Sequence, residues 1–125
     1  MYIQYFEFQE IIWVKNMPYL ISFAKWPSDK TVGVIKKLIE ANKKFPPDES
    51  LGIDLTPGNA IKATKEGFET IGVSKVKEGK LKDAYQRVTA AANLYAMAIE
   101  GFEYKLEVWS TDEEAFASIG QKPPE

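Results

Sequence analysis

The chain has 125 residues, of which 45% are hydrophobic and 27% are charged, and its formal net charge is −2. A chain of this length and composition is expected to form one globular domain with a sizeable core. It contains neither His nor Cys, and Arg87 is its only Arg beside fifteen Lys. These counts exclude disulfides, thiolate nucleophiles, Cys/His zinc sites, His-ligated haem and every catalytic triad that depends on His.

Charge balance and hydropathy limit the expected partners. Nucleic-acid-binding proteins usually carry an excess of basic residues, which this chain lacks, so no nucleic-acid partner is expected. No apolar run approaches the ~18 residues that span a bilayer, so no membrane association is expected. The apolar N-terminus has neither the basic region nor the cleavage site of a signal peptide, and we expect a cytoplasmic location.

Residues 1–16 differ in character from the rest of the chain. Apolar side chains occupy both alternating faces of residues 1–14, MYIQYFEFQEIIWV, and favour a strand. Three interpretations stay open: a segment upstream of a native start at Met17, an edge strand, or an arm that docks on another subunit. The expected organisation is a strand or arm over 1–16, a domain over 17–119 and a flexible tail over 120–125.

The first half of the domain predicts a strand, a helix and a loop. The strand covers residues 19–26, alternates in side-chain character and ends at Pro27. The helix follows over residues 28–44 with Ser28 as its N-cap, and the prolines of Phe45-Pro46-Pro47 stop it. Residues 46–59 are predicted to form a loop. The predicted apolar face of this helix consists of Val32, Ile35, Leu38 and Ile39.

The second half predicts a hairpin, a long helix, a strand and a short helix. The hairpin joins strands 60–64 and 68–76, with Gly67 in a left-handed turn position. Gly101 is predicted as the left-handed residue that ends the long helix, and residues 102–109 form the last strand. Thr111 with Glu114, or Ser110 with Glu113, predicts a capping box for a helix near 111–119. The apolar stripe of the long helix contains Leu81, Ala84, Tyr85, Val88, Ala92, Tyr95, Ala96 and Ile99.

The order strand, helix, strand, strand, helix, strand is the split βαβ arrangement of ferredoxin-like domains. The predicted fold class is α+β: a ferredoxin-like βαββαβ domain with an antiparallel four-stranded sheet, an extra N-terminal strand or arm and a short C-terminal helix. Both helices are expected on one face. That covered face is predicted to carry Tyr19, Ile21, Phe23, Ile61, Ile71, Val73, Phe102, Tyr104, Leu106 and Val108. The open face is predicted to carry Leu20, Ser22, Ala24, Trp26, Lys62, Thr64, Thr70, Gly72, Ser74, Glu103, Lys105, Glu107 and Trp109.

The element order and two stretches, GFETIGVSKVKEGKLKDAYQRVTAAANLYA (67–96) and GFEYKLEVW (101–109), resemble the dimeric α/β-barrel superfamily. The resemblance covers residues 17–119 and is closest to small uncharacterised stand-alone members. It implies two ferredoxin-like protomers that pack sheet to sheet around a cavity. Members of the superfamily include cofactor-free monooxygenases, haem enzymes, small-ligand sensors and proteins of no known role. No catalytic motif carries over, and the absence of His removes the His-ligated haem branch.

Five side chains that could line such a cavity are the candidate ligand-binding residues. Each also has a structural interpretation, since Trp is commonest in packing and interfaces, and alternating charges typify a solvated strand. No catalytic set, metal site or cofactor is predicted, because the glycines form no phosphate-binding pattern and no Asp/Glu spacing suits Mg²⁺ or Ca²⁺. The candidates are Trp26, Lys62, Thr70, Glu103 and Tyr104.

Two charged residues outside the predicted sheet face are given ordinary structural roles. Asp54 is interpreted as a turn organiser in the 46–59 loop, because an acidic residue in a loop usually bonds its own backbone, and the alternative is a general base or a metal ligand. Arg87 is interpreted as a solvated or weakly paired residue on the surface of the long helix, and the alternative is that this single Arg binds a carboxylate.

Two functional hypotheses follow. The leading one is a non-enzymatic homo-oligomeric module, a dimer or higher assembly, with room for a small apolar ligand between sheets. The alternative is a cofactor-free enzyme, oxygenase- or isomerase-like, that acts on a small apolar molecule. Without His, its general base would be a Glu, an Asp or a Lys of perturbed pKa.

Overall fold

The structure is a computed structural model that describes residues 17–122. The predicted N-terminal strand or arm over 1–16 and the last three residues of the predicted tail lie outside the described residues. The described chain has five strands: β1 (Tyr19–Pro27), β2 (Gly52–Asp54), β3 (Ala60–Ala63), β4 (Gly67–Val76) and β5 (Glu103–Trp109). Its three α-helices are α1 (Thr31–Lys44), α2 (Leu81–Ala98) and α3 (Asp112–Ala117), and a 3₁₀ turn (Ser28–Lys30) precedes α1.

The strands form one antiparallel sheet, as expected for the α+β class. Its order is β2-β4-β1-β5, and β3 pairs with the same edge of β4 as β2 does. β2 lies opposite the C-terminal end of β4, from Gly52↔Val76 to Asp54↔Ser74. β3 lies opposite the N-terminal part of β4, from Ala60↔Ile71 to Ala63↔Phe68. The two short strands are therefore successive parts of one edge, interrupted by residues 55–59.

Residues 55–59, which separate β2 from β3, remain hydrogen-bonded to β4. The Leu55 amide donates to the Val73 carbonyl (2.7 Å), and the Val73 amide donates to the Thr56 hydroxyl (2.9 Å). The predicted loop over 46–59 thus contains a strand that the sequence pattern did not reveal. Asp54, predicted as a loop residue, lies in that strand, where its carboxylate accepts a hydrogen bond from the Ser74 hydroxyl (2.7 Å).

Helices α1 and α2 pack on one face of the sheet and bury two separate apolar clusters. The first joins Leu20 and Val76 to Ala84, with Leu51, Leu81 and Val88 around them. The second joins Trp26 to Val34 and Ile99, with Phe68, Tyr95 and Phe102 around them. Since directly paired residues share a face of the sheet, the covered face of β1 is the one that carries Leu20, Ser22, Ala24 and Trp26.

The predicted orientation of side chains toward the covered or the open side of the sheet was therefore wrong for the central strands β1 and β4. It was right for the edge strands β3 and β5. The covered face takes Leu20 and Trp26 from β1, and Phe68 and Val76 from β4. The apolar residues predicted to be covered instead lie on the other side: Tyr19, Ile21, Phe23, Ile71 and Val73. In β5, Tyr104, Leu106 and Val108 share the covered side with Ala24, Ser22 and Leu20, as predicted. Both central strands are apolar on both faces, so alternation alone could not orient them.

The predicted apolar face of α1 was also wrong. The helix packs inward through Val34 and Ala41, which are buried, and through Gly33, where an added Cβ would lie 2.9 Å from the Ile99 Cδ1. Four larger aliphatic residues point outward, with exposed fractions between 47% and 66%: Val32, Ile35, Leu38 and Ile39. We call these four residues the α1 stripe. The close approach of Ile99 explains why a glycine occupies position 33 on the inward side of α1.

Local capping and turn predictions had mixed outcomes. Ser28 does not cap α1, because it lies inside the 3₁₀ turn and its carbonyl accepts from the Thr31 hydroxyl (2.8 Å). Gly67 has no positive φ; glycine is needed there because a Cβ would lie 2.0 Å from the Trp26 carbonyl oxygen. Gly101 has the predicted left-handed conformation, with φ of 84°. The Thr111–Glu114 capping box is confirmed, with both reciprocal bonds present.

Candidate functional site

The five candidate side chains do not form one site. Trp26 lies in the core, 8% exposed, and its indole N–H donates to the Thr31 hydroxyl (3.1 Å). Thr70 and Tyr104 both pair with Ala24 and so share the covered face, where the Tyr104 hydroxyl donates to Asn93 of α2 (2.7 Å).

Lys62 and Glu103 lie on the side of the sheet opposite α1 and α2, which we call the open face. Lys62 pairs with Glu69 (3.3 Å) and Glu103 pairs with Lys25 (3.2 Å). All four of these side chains are more than one-third exposed, so these ion pairs contribute little to stability.

A shallow depression of about 450 Å³ includes three of the five candidates in its lining, although the side chains of Thr70 and Tyr104 lie on the opposite face of the sheet from that of Glu103. Thr70, Glu103 and Tyr104 line it, with Phe23 and charged neighbours from the open face. The Lys105 ammonium lies 4.8 Å from the centre of the Phe23 ring, a cation–π geometry. The lining carries two Lys and two acidic residues, and each of the four forms an ion pair, so its charges balance: Lys25, Glu69, Glu103 and Lys105.

Three carboxyl groups have a shifted pKa, one on the open face and two elsewhere, and none of the shifts favours general acid catalysis. The hydrogen bond from the Trp109 indole, with a further contribution from Lys105, lowers the pKa of Glu107. Hydrogen bonds from Ser50 lower the pKa of Asp48, and Lys37 lowers that of Glu40. All three carboxyls are exposed and held in the charged form, whereas a general acid at neutral pH needs a raised pKa.

A larger cavity, about 700 Å³, opens on the helix side of the sheet. Its floor is apolar and its mouth is polar. The floor includes Leu20 and Val76 of the sheet and Ala84 and Val88 of α2. The mouth is formed by the segment that follows α1, residues 45–49, by β2 and by Arg87 of α2. We call this space the helix-side cavity.

Arg87 is held at the mouth of the helix-side cavity by its surroundings. Its guanidinium lies 5.7 Å from the centre of the Phe45 ring and donates a hydrogen bond to the Pro46 carbonyl. Among residues 17–122, no carboxylate lies within 4.0 Å of it, although it contributes to lowering the pKa of Asp48. The sequence interpretation of Arg87 as a solvated surface residue missed this arrangement. The available signal was the Phe45-Pro46-Pro47 stop after α1, which fixes an aromatic ring and a carbonyl near α2.

Residues 17–122 contain neither a candidate metal centre nor a candidate membrane-spanning helix. No three Asp or Glu side chains come together there as a candidate metal centre. No helix in that range is long and apolar enough to cross a membrane.

The chain matches no protein-family model, and comparisons with curated proteins and with solved structures give no significant match.

Proposed function

We propose that this protein is a non-enzymatic homo-oligomeric module of ferredoxin-like topology, whose copies pack through the α1 stripe. The observation that carries the proposal is the outward orientation of four neighbouring aliphatic side chains on one helix, with exposed fractions of 47–66%. Single exposed apolar residues are ordinary on protein surfaces, whereas contiguous patches mark interaction sites.

The strand arrangement supports the ferredoxin-like part of the proposal. Taken as one interrupted strand, β2 and β3 give a βαββαβ order along the chain. The strands then lie side by side in the order second, third, first, fourth, with every neighbouring pair antiparallel. Both long helices lie on the same face, as the split βαβ arrangement requires.

The size of the stripe supports a contribution to association. Four half-exposed aliphatic side chains present roughly 400 Å² of apolar surface per copy, so a stripe-to-stripe contact would bury roughly 800 Å² in total. Stable interfaces usually bury about 1,200–2,000 Å², so the surface around the stripe would have to add to the contact. The stripe is also self-complementary, because residues spaced three, four and seven apart on one helix pack against the same spacing on another.

A second copy is favoured over an enzymatic use of the fold. A cofactor-free enzyme needs a desolvated acid or base, and the three carboxyls with shifted pKa are exposed and shifted downward. The resemblance to α/β-barrel dimers would place the interface on the open face instead. There, however, Ile21 is already buried and Tyr19, Phe23, Ile71 and Val73 are half-buried within the chain. The four side chains of the α1 stripe are each 47–66% exposed.

Multi-angle light scattering on the full chain at micromolar concentration tests the proposal. We expect a dimer or larger assembly, and we expect Ile39→Lys in the α1 stripe to convert it into a monomer. Ile61→Lys is the matched control, since Ile61 is 60% exposed at the sheet edge while Ile39 is 54% exposed. Far-ultraviolet circular dichroism establishes that each variant is folded.

Three outcomes would contradict the proposal. A monomeric wild-type chain would remove the oligomer. Equal dissociation by Ile61→Lys would show that the effect is unrelated to the stripe. Dissociation by Val73→Lys on the open face, with Ile39→Lys still oligomeric, would move the interface to the sheet.

A further inference from the structure

We propose that the helix-side cavity binds a small amphipathic monocarboxylate, with its carboxylate on the Arg87 guanidinium and its apolar body over the sheet. The cavity lies on the covered side of the sheet, away from the open face and outside the α1 stripe. The proposal therefore does not depend on the oligomer proposed above.

The floor of the cavity supplies the apolar half of this recognition. Leu20, Val76 and Ala84 are buried and form a packed base, and Leu51 and Val88 add partly buried aliphatic walls. At about 700 Å³ the cavity falls within the size range of small-molecule sites. An unbranched chain of about eight to ten carbons can lie along such a floor, and each buried methylene contributes about 0.8 kcal/mol.

Arg87 supplies the polar half. Its guanidinium is pre-positioned, because the Phe45 ring lies under it and the Pro46 carbonyl accepts one of its hydrogens. A guanidinium has five N–H donors, and the Pro46 contact uses one of them. The planar fork of the remaining donors matches a carboxylate, and ordering the side chain in advance reduces the entropy lost on binding.

The charges around the mouth disfavour a double negative charge more strongly than a single one. Asp48, Glu49 and Asp54 line the cavity together with Arg87 and Lys77, so the lining carries three negative and two positive charges. A dianionic phosphate would meet this excess of carboxylates, and its repulsion would oppose the attraction to Arg87. A monocarboxylate satisfies Arg87 with half the charge.

Isothermal titration calorimetry with the full chain and decanoate tests the proposal, with decanol and inorganic phosphate as the other probes. We expect decanoate to bind at least ten-fold more tightly than decanol, and phosphate not to bind. Arg87→Gln is expected to weaken decanoate binding ten-fold or more while leaving decanol unchanged. Arg87→Lys is expected to retain part of the binding, because it keeps the charge and loses the fork.

Two further variants place the ligand within the cavity. Ala91→Trp fills the cavity from α2 and is expected to abolish binding of both decanoate and decanol. Lys82→Gln, at an α2 position outside the cavity lining, is the charge-removal control and is expected to change nothing. Decanoate binding no tighter than decanol, or unaffected by Arg87→Gln in a folded variant, would overturn the assignment of the carboxylate. Absence of any decanoate binding, or binding that survives Ala91→Trp, would overturn the cavity as the site.

Discussion

Replacement of Trp26 by Ala should be among the most destabilising single changes in this chain. The indole is 8% exposed, stacks on Phe102 with ring centres 6.2 Å apart, lies 6.0 Å from the Phe68 ring centre and donates to the Thr31 hydroxyl. Truncation to Ala removes roughly 150 Å² of buried apolar contact, which lowers the unfolding free energy by about 4 kcal/mol. Loss of the hydrogen bond lowers it by about 1 kcal/mol more. The sum matches the range of 3–5 kcal/mol or slightly more for large aromatic residues truncated in protein cores.

Urea unfolding followed by far-ultraviolet circular dichroism measures this loss, at one fixed protein concentration because association also shifts apparent stability. Trp109→Ala is the matched control, because Trp109 is 55% exposed and its indole, within residues 17–122, bonds only the Glu107 carboxylate. Its cost should stay below about 1 kcal/mol. Equal costs for the two tryptophans would refute the assignment of Trp26 to a core cluster.

Three further changes probe other parts of the fold. Thr111→Ala removes one half of the capping box and should cost about 1 kcal/mol in unfolding free energy, measured by urea titration. Gly67→Ala should cost well over the ~1 kcal/mol expected for Gly79→Ala. The reason is that a Cβ at Gly67 would overlap a β1 carbonyl oxygen, whereas Gly79 has open space and only a left-handed backbone. Trp109→Phe should raise the pKa of Glu107 toward its ordinary 4.5, as NMR titration of the side-chain carboxyl would show. Because the pKa of Glu107 is lowered in the folded chain, its stabilising contribution is present above pH 4.5 and is lost as the pH falls through the folded pKa. An unchanged Glu107 pKa in Trp109→Phe would contradict the Trp109 hydrogen bond as the cause.

Sequence reasoning succeeded where one short segment determines its own structure. The Thr111–Glu114 capping box needs only residues three apart, and the left-handed Gly101 needs only the end of the helix before it. Strand β2 was missed because its three residues carry too little pattern to signal a strand. It forms because it pairs with β4, and that pairing is a tertiary contact.

The orientation of elements was harder to predict than their existence. β1 alternates Tyr19, Ile21 and Phe23 against Leu20 and Trp26, so each face offers large apolar groups. The choice between the faces depends on which side chains meet α1 and α2 in the folded chain. The inward side of α1 depends on residue size. Gly33 and Ala41 allow the helix to pack closely against its neighbours, which the larger stripe residues would prevent.

The candidate site was predicted least well, because a cavity is a property of several elements at once. Trp26, chosen for its indole on a supposed open face, belongs to the core. Arg87 was set aside as a surface residue, although Phe45 and Pro46, which meet it in the fold, are more than forty residues away along the chain. Spacing on one helix contains no information about such a meeting.

The interruption of the edge strand between β2 and β3 also affects how the folded protein avoids unwanted strand addition. An unbroken edge presents a row of free amides and carbonyls that can template pairing with other chains. Here the edge beside β4 consists of three-residue and four-residue pieces separated by five residues that turn back onto Val73. Neither piece is long enough to template an extended ladder. At the opposite edge, β5 places Glu103, Lys105 and Glu107 at alternate positions, where their charges oppose the approach of an apolar strand. One edge is thus protected by its backbone and the other by its side chains.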